Sequence, residues 1–174
     1  MIPAIAILIF AWSLKGMGDA LEISTFVSNT VGSGASASVI LPAVLFLVAI
    51  FLSFSTGTSW GTFAILVPIA TAMFPGADNL QMMIITVSAV LAGAVCGDHI
   101  SPISDTTVMS SAGAQSNHIN HVTTQMQYAA VVAVVSFIGY VIAGFVHIWW
   151  VVLGISLILL LAVLTVIKKI ASRA

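Results

Sequence analysis

Charged residues are scarce in this chain. Of its 174 residues, four are Lys or Arg and five are Asp or Glu, which is 5% of the chain, whereas about a quarter of residues are charged in soluble globular proteins. Apolar residues make up 60% of the chain. Because lipid offers the backbone no hydrogen-bond partner, these continuous, non-alternating apolar runs predict membrane-spanning helices. So few basic residues also exclude a nucleic-acid interface.

Cysteine occurs once, at Cys96, which excludes an internal disulfide and a thiolate metal cluster. The chain lacks the His-Glu-x-x-His motif of zinc proteases. An intramembrane aspartyl protease would need two aspartates that face each other from separate helices, whereas Asp98 and Asp105 share one short stretch. We therefore predict that the protein is not an enzyme and holds no cofactor.

We predict one all-α transmembrane domain over residues 1–174. The run at 1–15 lacks the basic leader of a signal peptide and is shorter than the about 20 residues of a full span, so we interpret it as the end of a helix. The other predicted segments are a hairpin at 39–75, a broken helix at 81–116, and spanning helices at 124–146 and 148–168.

The predicted hairpin has two apolar arms joined at the polar corner STGTSWGT, residues 55–62. Arms of about 13 to 18 residues are roughly 20 to 27 Å long, which is less than a hydrocarbon core of about 30 Å. We therefore expect a re-entrant hairpin whose tip lies at membrane depth. Irregular backbone is tolerated there only when it is buried in protein or lines a cavity.

The stretch CGDHISPISDTT, residues 96–107, predicts one transmembrane helix broken in the middle. Pro102 removes a backbone donor and disfavours helical geometry at Ser101, and Gly97 supplies backbone freedom just upstream. Such breaks free the carbonyl groups that coordinate sodium in secondary transporters. We expect the break and the hairpin tip to face each other at the bilayer midplane and to form one site.

The break also contains Asp98 and Asp105. A carboxylate at the centre of a spanning helix costs about 2.5 to 3.5 kcal/mol on insertion scales, and no Lys or Arg lies near either aspartate in the sequence. The simplest compensations are protonation, water in a cavity, or a bound cation. A site that binds a proton and a sodium ion alternately on the same oxygen would be an exchanger.

Hydroxyl and carboxylate oxygens, which are ligands for hard cations, surround both motifs. The candidate ion- and proton-binding residues are Asp98, Asp105, Ser101, Ser104, Thr106, Thr107, Thr56, Thr58 and Ser59. A hydroxyl in a membrane helix more often bonds only to backbone or a neighbouring helix, so the prediction rests on the two motifs together. His99 would either relay protons or face water. His118 and His121 lack a third metal ligand, and we predict a solvated loop there.

Two segments resemble the C-terminal half of the NhaC-type sodium/proton antiporters, within the ion transporter superfamily. They are FSTGTSWGTFAILVPIA at 54–70 and CGDHISPISDTTVMSSAGAQSNHINHVTTQ at 96–125. The resemblance implies Na⁺ and H⁺ as transported ions and a fold of inverted repeats with re-entrant hairpins and broken helices. By position it places these residues in the site: Thr56, Thr58, Ser59, Asp98, Ser104, Asp105, Thr106 and Thr107.

Members of that family are much longer, so the resemblance implies that this chain is one repeat half. A missing N-terminal half or a partner chain would supply the other, and a homodimer remains open. One alternative within the family is sodium- and proton-coupled exchange of organic acids such as malate and lactate, although neither motif contains a basic residue to bind an anion. Another is a membrane assembly subunit that does not transport.

Basic residues follow the last apolar segment, at Lys168, Lys169 and Arg173. Basic residues near the end of a membrane segment favour the cytoplasmic side. The sequence therefore predicts a multi-pass protein of the cytoplasmic membrane, in contact with the lipid bilayer, with a cytoplasmic C-terminus.

Overall fold

The computed structural model describes residues 35–74 and 79–172, together with Met17 and Ala20. The predicted helix end at 1–15 lies outside the described residues. Within the described ranges the chain forms helices and no strand. The helices are α1 (Ala35–Thr56), α2 (Ser59–Met73), α3 (Leu80–Ile100), α4 (Asp105–Gly113), α5 (His118–Phe145) and α6 (Trp149–Ala171).

Four segments are long and apolar enough to cross a membrane, namely Ser38–Thr56, Leu80–Ile100, His118–Phe145 and Trp149–Ile170. The prediction of an all-helical membrane protein is therefore confirmed. Within the described part of the chain, the apolar span of α6 has no fully buried residue. Its contact among the described helices is with α5, where a Cβ atom at Gly139 would lie 2.7 Å from Oγ of Ser156.

Helices α1 and α3 pack closely and run in the same direction. A Cβ atom at Gly93 would meet the carbonyl oxygen of Phe46, and one at Gly97 would meet that of Ile50. Glycines four residues apart let two helix backbones approach closely. The role predicted for Gly97 is therefore corrected: it lies inside α3 with ordinary helical geometry, and what its missing side chain provides is room for α1.

Helix α2 returns the chain between these two parallel helices. One buried cluster contains side chains from all three helices: Leu45, Ala49, Leu66, Ala70, Val90 and Ala94. Helix α1 has 22 residues, more than predicted for a hairpin arm, and α2 has 15. Because α1 by itself is long enough to span, the re-entrant path of the hairpin stays a prediction.

Helix α5 packs antiparallel to α1 and α3. The ring centroids of Tyr140 and Phe46 are 5.3 Å apart, the hydroxyl of Tyr140 donates to the carbonyl of Ser88 at 3.1 Å, and Gly144 lies against the backbone of Val39. A short turn then leads into α6.

The solvated loop predicted around His118 and His121 is wrong, because both residues belong to the first turn of α5. The side chain of Asn117 accepts a hydrogen bond from the backbone N–H of Asn120 at 3.1 Å. An asparagine in this position caps a helix N-terminus. The polar residues around His118 therefore belong to the capped N-terminus of a helix.

The predicted interruption in 81–116 is present, since α3 ends at Ile100 and α4 begins at Asp105. The two helices are not collinear, however. The hydroxyl of Thr107 lies 3.3 Å from the carbonyl oxygen of Asp98, nine residues earlier, whereas nine residues of continuous helix rise about 13 Å. The chain therefore bends sharply at the break, so that the first turn of α4 lies against the end of α3.

Candidate functional site

The buried face of α3 ends in a carboxylate. Its buried residues recur at helical spacing: Thr86, Ala89, Val90, Gly93, Ala94, Gly97 and Asp98. Residues three and four apart lie on one face of a helix, so Asp98 continues a stripe of small residues that packs against the neighbouring helices. Its side chain is only 4% exposed.

Three hydroxyl groups from three parts of the chain surround the Asp98 carboxylate. Ser104, in the break, donates to Oδ1 at 2.7 Å, and Ser59, at the start of α2, donates to Oδ2 at 3.2 Å. Thr106 Oγ1, in α4, lies 3.4 Å from Oδ2 and 2.7 Å from Ser104 Oγ. We call Ser59, Ser104 and Thr106 the hydroxyl cluster.

Among the residues that the structure describes, the Asp98 carboxylate has no basic partner. Over residues 35–74 and 79–172 its side-chain partners are the three uncharged hydroxyls, and no ion pair joins it. The lysines in these ranges, Lys168 and Lys169, are exposed in the last turn of α6. Hydrogen bonds from neutral groups satisfy the lone pairs of a carboxylate but leave its charge uncompensated in a low-dielectric site.

The corner between α1 and α2 is in contact with the break. Gly57, at the corner, has a φ of 68°, a conformation that glycine adopts without strain. A Cβ atom there would lie 2.9 Å from the carbonyl oxygen of Ile103. The fully buried Ser101 donates to the carbonyl of Phe54 at 2.7 Å. The sequence prediction that the two motifs face each other agrees with these contacts.

Three other candidate ligands form hydrogen bonds to the backbone. Thr107 donates to the carbonyls of Asp98 and His99 at 3.3 and 3.2 Å, where the end of α3 leaves carbonyls without intrahelical partners. Thr58 caps α2 by accepting from the N–H of Gly61 at 3.5 Å. Thr56 is exposed and donates to Leu52 in its own helix. These hydroxyls shape the site's backbone.

The second predicted carboxylate lies apart from the first. Asp105 is exposed and accepts from the backbone N–H of Thr106 at 2.8 Å, in the first turn of α4. A negative side chain in this position stabilises a helix N-terminus. Asp98 and Asp105 therefore have different surroundings, although they are close in sequence.

His99 also faces away from the hydroxyl cluster. It is exposed, and its Nδ1 donates to the carbonyl of Val95 at 2.9 Å. Its ring lines a mostly apolar groove of about 1160 Å³ between α3 and α5. Asp98 does not line this groove, so the groove and the hydroxyl cluster lie on different sides of the end of α3.

Two features of the site were missed by sequence reasoning. Ser53 is fully buried one turn before Gly57, and in the described part of the chain its Oγ is the buried side-chain polar atom without a partner. The feature of the sequence that could have pointed to Ser53 is a serine within an otherwise apolar helix. His118 bonds to Pro102 and Ser111, a contact that chain spacing does not reveal.

The described residues contain no group of three or more His, Cys, Asp or Glu side chains that could hold a metal ion. His118 and His121 therefore do not belong to such a group. Carboxylate and hydroxyl oxygens predominate around Asp98, and these ligands suit alkali and other hard cations better than they suit transition metals.

Comparison with known proteins matches the model of the Na⁺/H⁺ antiporter family to residues 1–145. An uncharacterised protein of Haemophilus influenzae is 45% identical over 169 residues, which is 97% of this chain and 32% of that protein. The malate-2H⁺/Na⁺-lactate antiporter of Bacillus subtilis is 32% identical over 111 residues, 63% of this chain and 23% of that protein.

An uncharacterised Na⁺/H⁺ antiporter of Haemophilus influenzae is 36% identical over 110 residues, 60% of this chain and 23% of that protein. The chain thus spans about a third of the first of these relatives and about a quarter of the others. No solved structure matches it. The family match covers most of the chain, including the corner, the break and the hydroxyl cluster, and this chain belongs to the Na⁺/H⁺ antiporter family.

Proposed function

We propose that the chain provides the ion-binding part of a sodium/proton antiporter, in which Asp98 binds a proton and a sodium ion in turn. The observation that carries the proposal is a buried carboxylate whose three side-chain partners are all uncharged hydroxyls. Membership of the antiporter family supports it.

The hydroxyl cluster suits both states of the carboxyl group. When Asp98 is charged, each hydroxyl can donate its proton to the carboxylate while its oxygen lone pairs face a cation. When Asp98 is protonated, its O–H needs an acceptor, and the oxygen of Thr106 or Ser59 can accept. Rotation of hydroxyl protons is then enough to satisfy either state, so proton and Na⁺ would compete for one carboxylate without large movement of its ligands.

Contacts of α5 with α3 and with the break relate the site to a membrane-spanning helix. Ser88 of α3 pairs with Tyr140 of the antiparallel α5. At the other end of α5, Nε2 of His118, in the first turn, lies 2.7 Å from the carbonyl oxygen of Pro102 in the break. Helix α5 has no Asp, Glu, Lys or Arg. We propose that α5 spans the membrane, and that the corner and the break lie toward its N-terminal end. The expected position of the site at the bilayer midplane stays a prediction.

The rest of the transporter would complete the site. This chain spans about a third of the length of the Haemophilus influenzae relative that it matches over 97% of its own length. We propose that a preceding segment or a partner chain covers the exposed side of the break and adds further ligands. Lys168 and Lys169 at the end of α6 favour a cytoplasmic C-terminus in the cell membrane.

Exchange of organic acids is the second candidate, because a relative 32% identical to this chain is a malate-2H⁺/Na⁺-lactate antiporter. A dicarboxylate would need positive or N–H donor groups. The described residues place no Lys or Arg at the break, so the N-terminus of α2 or α4 would have to bind the anion. The ligand set within this chain favours the cation over the anion as the species bound at Asp98.

Everted vesicles that contain the intact transporter test the proposal. After respiration has formed a pH gradient, added Na⁺ should collapse it, and Asp98→Asn should abolish this response. Asp105→Asn is the matched control, since it alters an exposed carboxylate of the same stretch, and it should retain the response. Malate and lactate are added in parallel to detect organic acid exchange.

Two results would oppose the proposal. If Na⁺ does not collapse the pH gradient in wild-type vesicles, the assignment as a sodium/proton antiporter is wrong. If Asp98→Asn keeps full activity, Asp98 does not bind the ion, and this chain would have an assembly role. The 174-residue chain assayed alone would show whether it transports without the rest of the protein.

A further inference from the structure

His118 lies outside the hydroxyl cluster but joins the two ends of the segment that carries two of its members. Its Nε2 is 2.7 Å from the carbonyl oxygen of Pro102, in the break. Its Nδ1 is 3.0 Å from Oγ of Ser111, near the end of α4. Ser104 and Thr106 lie between these two attachment points.

The chemistry of the partners determines where one proton of the ring lies. A backbone carbonyl accepts hydrogen bonds and cannot donate, so Nε2 carries a proton and donates it to Pro102. Nδ1 faces Oγ of Ser111, whose hydroxyl can donate either to this nitrogen or to the carbonyl of Val108, which lies 3.0 Å from Oγ. Ser111 is 2% exposed. A residue at position 118 must therefore supply a donor to the break, which an apolar side chain cannot do.

We propose that His118 is a positioning residue for the ion site: it fixes the break and α4 relative to each other, so that Ser104 and Thr106 stay in hydrogen-bond range of Asp98. This role rests on the proposed function. His118 has no contact with the Asp98 carboxylate among the described residues and acts through the segment it holds. Its loss should weaken ion binding more than it slows turnover.

The chain offers a matched control one turn along α5. His121 also reaches α4, but its Nε2 is 3.4 Å from Oγ of the exposed Ser110, and it makes no bond to the break. A histidine that merely packs α5 against α4 would behave like His121. A difference between the effects of substitution at positions 118 and 121 therefore measures the contribution of the hydrogen bond from His118 to Pro102.

The test compares the Na⁺ concentration for half-maximal collapse of the pH gradient in His118→Leu, His118→Gln and His121→Leu vesicles. Loss of two hydrogen bonds should raise this concentration about tenfold in His118→Leu, with a smaller change in maximal rate. His118→Gln keeps a donor near the Nε2 position and should stay within about twofold of wild type, as should His121→Leu.

A second variant and a second measurement distinguish loss of the His118 hydrogen bonds from misfolding of the His118→Leu variant. Ser111→Ala removes one bond and should raise the half-maximal Na⁺ concentration about threefold. In the purified transporter, amide hydrogen exchange in 105–113 should be faster in His118→Leu than in His121→Leu.

Equal effects of His118→Leu and His121→Leu on Na⁺ dependence would overturn the positioning role, as would unchanged exchange in 105–113 or a glutamine variant as weak as the leucine variant. These results differ from a failure of the proposed function itself, in which the wild type would show no response to Na⁺.

Discussion

Substitution of Gly97 by alanine tests the close packing that brings Asp98 into the protein interior. The new Cβ would meet the carbonyl oxygen of Ile50 and would lie 2.9 Å from the backbone nitrogen of Phe54. Both are backbone atoms of α1, so a side-chain rotation cannot relieve the contact. Helices α1 and α3 would have to separate, and overpacking of this kind costs about 1 to 3 kcal/mol.

Alanine also stabilises a helix by about 1 kcal/mol relative to glycine. A second glycine-to-alanine variant is therefore needed to separate the cost of overpacking from this gain in helix propensity. Gly154→Ala is that variant, because a Cβ at Gly154 of α6 would have no neighbour within 4 Å. The difference in the free energy of unfolding between the two variants removes the propensity term. It should equal the overpacking energy, about 1 to 3 kcal/mol in disfavour of Gly97→Ala.

Reversible unfolding of the purified protein in mixed detergent and lipid micelles, followed by circular dichroism, gives these free energies. Gly97→Ala should also lower the Na⁺ response of the intact transporter, since Gly97 directly precedes Asp98. Equal stability of the two alanine variants would refute the argument, because α1 and α3 would then not be in close backbone contact at this position.

Two further predictions concern the polar groups of the break. Ser101→Ala removes the hydroxyl of a fully buried residue, which donates to the carbonyl of Phe54 and accepts from the N–H of Ile103. It should lower the free energy of unfolding by about 1 to 3 kcal/mol. Ser55→Ala, which removes an exposed bond within α1, should change it little, and equal losses would contradict the buried contact. In Asp105→Asn vesicles, the Na⁺ concentration for half-maximal collapse of the pH gradient should stay within about threefold of wild type. Loss of the response to Na⁺ in this variant would show that the exposed carboxylate is an ion ligand.

Local chemistry was enough to predict the interruption and the corner. Pro102 removes a backbone donor and restricts the residue before it, which favours an end of α3 near this residue, although Pro42 and Pro68 lie inside α1 and α2. Gly57 lies within a run of hydroxyl residues and adopts the positive φ that a tight corner uses. Both features depend on backbone properties of a few adjacent residues, which the sequence displays directly.

The path of the chain after the break could not be predicted in this way. The prediction of a single broken helix treats α4 as a continuation of α3, whereas Thr107 bonds back to the carbonyls of Asp98 and His99. The direction in which a chain leaves four non-helical residues depends on tertiary packing. Local propensity does not determine it.

The difference between Asp98 and Asp105 has the same origin. Both are carboxylates in a polar stretch, so composition treats them alike. Helical periodicity could have separated them, because Ala94 and Gly97 place Asp98 on the small-residue face of α3, whereas Asp105 begins a new helix. The contact of His118 with the break depends on how α5 meets α4, and no local pattern encodes it.

The most direct test of the central claim is proton release on sodium binding. The purified intact transporter, in weakly buffered detergent solution, should release protons when Na⁺ is added, because Na⁺ displaces the proton on the buried Asp98 carboxyl. Choline chloride should release none, and Asp98→Asn should remove the Na⁺-dependent release. Undiminished release from Asp98→Asn, or Na⁺ binding by the wild type without release of a proton, would contradict competition at this carboxylate.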